Sequence, residues 1–190
     1  MRTSDVDILV IPGLGGSGPD HWQSRWEAKL STARRIEQAD WDRPERDDWV
    51  ERIVAAVAAA ERPAVLVAHS LGVWAVAHAG PKLAEGPAAG KVVGAVLVAP
   101  PDADKLADFP TIDPTFTDFT PAPLPFPSIL IGSRTDPYAT QANGEKLAAE
   151  LGATYLDAGE AGHINDESGH GPWPEGLMRF AGFLKTLRPN

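Results

Sequence analysis

The stretch that most limits how this chain can fold is Val65-Leu66-Val67-Ala68-His69-Ser70-Leu71-Gly72. A short apolar run, entered from Pro63, ends in a serine with the small residues Ala68 and Gly72 two positions to either side. Val73-Trp74-Ala75-Val76-Ala77-His78 follows at once and is long enough to begin a helix. An apolar run bounded in this way reads as a buried strand, so the order is strand, sharp turn, serine at the apex, helix. Two elements that reverse so abruptly pass close together, and only small side chains fit two places from the apex. Such a turn lifts the Ser70 hydroxyl above the end of a sheet. It also aims the first backbone N–H of the helix, that of Leu71, at whatever binds there. A buried strand ending in a polar turn has a similar composition, so the rest of the chain must decide.

The remaining elements supply a sheet. Residues 6–11 and 92–98 are continuous apolar runs of the kind buried on both faces. Shorter strands are expected at 128–131 and 154–156, and residues 34–39, more polar, suit a sheet edge. Between them lie helical stretches: 21–30, a segment capped by Asp47-Asp48 and running to about residue 60, the helix after Ser70 ending near Gly80-Pro81, 140–151, and 173–187. Strands alternating with helices imply a mostly parallel sheet of about six strands with helices on both faces, an α/β fold. Residues 99–127 differ, with eight prolines and four phenylalanines (Phe109, Phe116, Phe119, Phe126) among 29 residues. Prolines at that density forbid a long helix, so the segment is a crossover rather than a second domain, and an open, shallow site is expected beneath it.

Composition narrows the function. One domain is the simplest division of 190 residues. A net charge of −9 with a pI near 4.9 argues against nucleic acid as a partner. The absence of cysteine excludes a thiol nucleophile, a thiolate metal site and a disulfide framework. No apolar stretch approaches a membrane span, and the first is too short for a signal-peptide core; a soluble, cytoplasmic protein is expected. Pro12-Gly13-Leu14-Gly15-Gly16-Ser17-Gly18 lacks the Gly-Lys-Ser/Thr of a phosphate loop and is no dinucleotide fingerprint, so no cofactor and no metal are expected.

A serine hydroxyl is a poor nucleophile until a base takes its proton, and the base needs an orienting acid. Asp136, in Gly132-Ser133-Arg134-Thr135-Asp136-Pro137-Tyr138, lies just beyond the 128–131 strand. His163, beside Gly162, lies just beyond the last strand. Serine, acid and histidine in that chain order, each after a strand, form a candidate triad of Ser70, Asp136 and His163. Asp157 and Asp166 are rivals for the acid, the first at a strand end before the histidine and the second after it. His170 is the rival base but lies further from the strand. His69 is expected to point into the protein and His78 to pack on its helix. The glycine loop, on a strand expected beside that of Ser70, can offer the Leu14 N–H as a second oxyanion donor beside Leu71. Gly15, His21, Trp22 and Tyr138 are candidates to line the substrate site, although core packing would equally explain a tryptophan there.

With these residues together the chain resembles the compact serine-hydrolase family of α/β-hydrolases that contains YdeN and retinoblastoma-binding protein 9. The resemblance runs over nearly the whole chain. It rests on residues 12–17 with His21-Trp22, on Ala68-His69-Ser70-Leu71-Gly72 and on residues 133–138. It rests further on Ala161-Gly162-His163-Ile164-Asn165 and, most specifically, on Ser168-Gly169-His170-Gly171-Pro172-Trp173-Pro174-Glu175-Gly176. It implies a small single-domain α/β-hydrolase without a cap, the same triad, and activity on short carboxylic esters. Amides and thioesters share the mechanism, since a triad does not choose the leaving group. Some members of the family are described through protein partners, and nothing in this sequence indicates one. The competing class is a binding or scaffold module that keeps the fold; such a module has no physical need of all three groups.

Overall fold

Period-two alternation within the strands decides which residues form each half of the core. The computed structural model describes residues 1–188. Six strands, β1 (Asp7–Ile11), β2 (Ala33–Arg35), β3 (Ala64–His69), β4 (Val92–Val98), β5 (Ser128–Gly132) and β6 (Thr154–Asp157), form one sheet in the order β2-β1-β3-β4-β5-β6. Every neighbouring pair is parallel. Leu9, Ile11, Leu66, Ala68, Leu97 and Leu130 face one way and pack with Trp49, Ile53 and Val57 of α2 (Arg46–Ala58) and with α3 (Leu71–Leu83). Ile8, Val10, Val65, Val67, Val96 and Ile131 face the other way, against Trp22 and Trp26 of α1 (Trp22–Lys29) and Phe180, Phe183 and Leu184 of a C-terminal helix (Pro174–Thr186). The sheet is thus buried on both sides, which is why its central strands read as unbroken apolar runs.

The chain winds one way from β1 to β2 and the other way from β3 onward. Parallel sheets open a crevice at the carboxyl ends of the strands where the order reverses, here between β1 and β3. The register brings Ile11 beside Ala68, so the glycine loop after β1 and the turn after β3 stand together.

Several boundaries differ from the sequence expectation. The N-cap of α2 is Glu45, with Asp47 and Asp48 in its first turn, where acids complement the helix dipole without capping. Helix α3 continues through Pro81 to Leu83; a proline in the last turn removes only one internal hydrogen bond. Strand β2 takes only Arg34 and Arg35 of the polar 34–39 stretch, begins at Ala33, and lies at the sheet edge. The proline-rich crossover contains α4 (Ala103–Leu106) and a 3-10 turn at Pro114–Phe116, and buries Leu106, Ile112, Phe116 and Phe126. Residues 141–150 form α5 (Gln141–Glu150), and the C-terminal helix is α6. Among the described residues no helix is long and apolar enough to cross a membrane.

Candidate active site

Ser70 lies at the turn between β3 and α3 with φ 55° and ψ −125°, a left-handed backbone unusual for a residue with a Cβ. Glycine at position 72 is a steric necessity there. A Cβ on Gly72 would fall 2.4 Å from the Ile11 carbonyl oxygen and 2.6 Å from that of Pro12. The glycine loop closes in from the other side: a Cβ on Gly13 would come within 2.8 Å of the Ser70 Cβ and 3.1 Å of the Leu71 nitrogen. Leu14 and Leu71 each begin a helical turn, where N–H groups lack internal acceptors, and neither N–H is hydrogen-bonded among the described residues. The loop is propped by Trp41, whose carbonyl accepts the Gly15 N–H at 2.9 Å.

Three hydrogen-bonding groups from three strand ends converge. His163 Nδ1 lies 2.9 Å and 3.1 Å from the two carboxylate oxygens of Asp136, and His163 Nε2 lies 3.0 Å from Ser70 Oγ. A carboxylate can only accept, so Nδ1 carries the ring proton and Nε2 accepts from the serine hydroxyl. Asp136 is fixed by the Tyr138 N–H, 2.9 Å from Oδ1, and its side chain is 1% exposed. The loops bearing acid and histidine are stapled to each other. The Ala161 N–H donates to Ser133 Oγ at 2.9 Å, the Gly162 N–H to Thr135 Oγ1 at 3.0 Å, and the Arg134 N–H to the Gly159 carbonyl at 2.8 Å.

Behind His163 stands a wall of buried rings. His69 Nε2–H donates to the His163 carbonyl at 2.9 Å, and its ring lies 4.9 Å from that of His163. Burial holds the His69 imidazole well below the usual histidine range, so it is a neutral donor. His21, 4.7 Å from His69, is pushed down to about 4, chiefly by burial. Trp22 Nε1–H donates to the carbonyl of Ile164, 2.8 Å away, whose own φ is 49°. This bond secures the strained residue after His163.

In front of Ser70 is a recess of about 180 Å³ lined by Leu14, Leu71, Pro101, Leu106, Phe109, Ile112, Tyr138, His163 and Asn165. Of the substrate-lining candidates, Tyr138 is present, with its ring edge-on to His163 at 4.8 Å. His21 and Trp22 are turned into the core, because α1 packs its aromatic face on the sheet. Gly15 is exposed on the loop's outer side and does not line the recess. Of the four crossover phenylalanines, only Phe109 reaches it; Phe116 packs on Trp49, and Phe119 on His78. Asp157 is taken up by Arg134 and the Gly159 N–H. His170 pairs with Ser168 Oγ at 3.2 Å and lies outside the recess. Pro101, Leu106, Ile112 and Asn165 were not singled out from sequence: the first three sit in a stretch without periodicity. The available signal for Asn165 was its place two residues after His163. Among the described residues, no group of three or more His, Asp or Glu is placed to hold a metal ion.

The family model described as serine hydrolase matches residues 8–182. The chain belongs to that family. A structure described as a YdeN-like hydrolase from Pectobacterium atrosepticum is 32% identical to this serine hydrolase, covering 95% of this chain and 91% of the other, with a TM-score of 0.80. The ydeN gene product of B. subtilis shares the fold at 18% identity, over 94% and 98% of the two chains, with a TM-score of 0.74. So does an esterase domain from Rhodothermus marinus at 15% identity, over 98% and 89%, with a TM-score of 0.70. None of the curated proteins compared with the hydrolase matches it. The α/β-hydrolase architecture expected from the sequence is the one observed, with every strand pair parallel.

Proposed function

We propose that this hydrolase cleaves small carboxylic esters, with Ser70 as nucleophile, His163 as general base and then acid, and Asp136 as the group that orients it. The observation that carries the reading is the unbroken chain from Asp136 through His163 to Ser70 Oγ, opening onto a small apolar recess. As Oγ attacks the ester carbonyl, Nε2 takes the hydroxyl proton. The imidazolium so formed is stabilised by the buried carboxylate. Negative charge grows on the carbonyl oxygen, for which the N–H groups of Leu14 and Leu71, without hydrogen-bond partners among the described residues, are the donors. Losing one such donor typically costs about 10²–10³ in turnover. Collapse of the tetrahedral species breaks the bond to the leaving oxygen, which receives the proton from Nε2 and departs as an alcohol. Water, activated by the same Nε2, then releases the acid and restores the Ser70 hydroxyl.

The test is covalent labelling together with turnover. A fluorophosphonate is expected to modify Ser70, seen as one adduct by peptide mass spectrometry, and Ser70→Ala is expected to lose both the adduct and ester hydrolysis. An unlabelled Ser70, or near-native turnover by Ser70→Ala, would mean that the fold serves binding alone.

A further inference from the structure

Asn165, half-buried, borders the recess with its amide held by its own turn. Three of its polar groups are used within its own turn. Its backbone N–H donates to Ser168 Oγ at 3.0 Å, and its carbonyl accepts from Ser168 Oγ at 3.0 Å and from the His170 N–H at 2.8 Å. Its Oδ1 accepts the Ser168 N–H at 3.0 Å. That last bond fixes the amide: the atom facing a backbone N–H must be the oxygen, so the nitrogen is the other branch. Nδ2 has two N–H donors and no hydrogen bond among the described residues, and Asn165 lines the recess together with Ser70 and His163. The rest of that lining is mainly apolar, and its hydrocarbon wall comes from Leu106, Phe109 and Ile112 of the crossover.

The reaction divides the recess. His163 Nε2 gives its proton to the departing oxygen, so the leaving group lies on the His163 side of Ser70. Asn165 follows His163 by two residues on the same loop and flanks the leaving group. We infer that Asn165 is a specificity-determining residue whose Nδ2–H donates to an oxygen acceptor on the alcohol portion of the substrate. The preferred substrates are then short acyl esters of alcohols carrying an ether, hydroxyl or carbonyl oxygen close to the ester bond. The inference rests on the assignment of Ser70 as nucleophile and His163 as the proton donor to the leaving group.

The test uses an isosteric pair, butyl butanoate and 2-methoxyethyl butanoate, which differ by one CH₂ replaced with oxygen. The ratio of their kcat/KM values is divided by the ratio of their hydroxide-catalysed rates, which removes the intrinsic difference between the two alcohols. Both esters use the same Ser70 and His163, so any effect of a variant on the base cancels. The native protein is expected to favour the methoxyethyl ester by about 2- to 12-fold, the worth of one net hydrogen bond. Asn165→Ala brings the ratio to about one. Asn165→Asp keeps the acceptor for the Ser168 N–H, so the turn is retained, but replaces the donor by a carboxylate oxygen; the preference is expected to reverse. A native ratio of one overturns the inference, as does a preference that survives Asn165→Asp. A preference abolished instead by Tyr138→Phe assigns the donor to the Tyr138 hydroxyl and overturns it too. If neither ester turns over and a fluorophosphonate leaves Ser70 unmodified, the ester-hydrolase reading falls and this inference with it. If both turn over at the same ratio in native protein and variants, the inference alone falls.

Discussion

Ser70 holds its left-handed backbone because β3 ends beside the Val98 carbonyl, which accepts the Ser70 N–H at 2.9 Å, while α3 starts on the next residue. A Cβ in that conformation costs roughly 1–3 kcal/mol. Ser70→Ala keeps the Cβ and so keeps the strain, whereas Ser70→Gly releases it at an unfolded-state entropy cost of about 1 kcal/mol or less. Ser70→Gly is therefore expected to be the more stable of two inactive variants, by about 1 kcal/mol in urea unfolding. Equal midpoints would mean the turn stores no strain. The histidines separate in the same manner. His163→Ala is expected to lose about 10⁴-fold or more in kcat on a chromogenic ester, since among the described residues no other group hydrogen-bonds to Ser70 Oγ. His170→Ala, which loses a bond to Ser168 and an edge contact with Trp173, is expected to stay within about tenfold. A reversed order would move the base to His170.

The strands around Ser70 were legible because burial on both faces forces continuous apolar runs, and because Gly72 meets a close contact that no Cβ fits. The crossover was not legible. Its contacts join residues far apart in the chain: the Asp102 N–H donates to the Tyr138 carbonyl at 2.8 Å, and the Asp102 carboxylate accepts the Thr140 N–H at 3.1 Å and the Asn143 Nδ2–H at 2.8 Å. No local period announces which of its apolar residues turn toward Ser70. Of its four phenylalanines, the structure brings Phe109 to the recess. This segment nonetheless sets the depth of the recess. A space of about 180 Å³ holds roughly six groups the size of a water at about 30 Å³ each. Each methylene buried there contributes about 0.8 kcal/mol, so efficiency is expected to climb over the first few acyl carbons and then fall. Phe109→Ala is expected to shift the optimum to longer chains. kcat/KM for esters from acetyl to dodecanoyl measures both effects; an optimum at dodecanoyl in the native protein would mean that the crossover does not close the recess.

At the scale of the whole molecule, backbone strain gathers at one end of the sheet. Ser70, Ala99 and Ile164, with φ of 55°, 48° and 49°, all follow the carboxyl ends of strands or the loops beyond them. Behind them His21, His69 and His163 stand ring against ring across elements far apart in sequence. Chain order and residue type were enough to single out Ser70, Asp136 and His163 as candidates, and the structure joins these three by hydrogen bonds. That His21 and Trp22 would form the back wall instead of the recess depends on which face α1 turns to the sheet, and α1 carries aromatic and polar residues on a single short helix. This placement has a measurable consequence for folding. Burial lowers the His21 pKa to about 4, with Asp166 opposing the shift and His163 and Arg35 adding to it, while His69 is held well below 6.5 for the same principal reason. Above about pH 6.5 these imidazoles are neutral in both folded and unfolded chains and contribute no pH dependence. Below it the unfolded chain binds protons that the folded protein refuses, so stability falls with falling pH, from about 6.5 down through the folded value. For His21 alone the loss approaches on the order of 3 kcal/mol once the pH reaches about 4. His21→Asn removes that titration while keeping a side chain suited to the N-cap of α1. The urea midpoint of the native protein is therefore expected to be flat from pH 8 to 7 and to drop steeply between 6.5 and 4.5, with a shallower drop for His21→Asn. A native midpoint that does not move between pH 7 and 4.5 would show that the back wall accepts charge without cost, and the neutral assignment of His21 and His69 would be wrong.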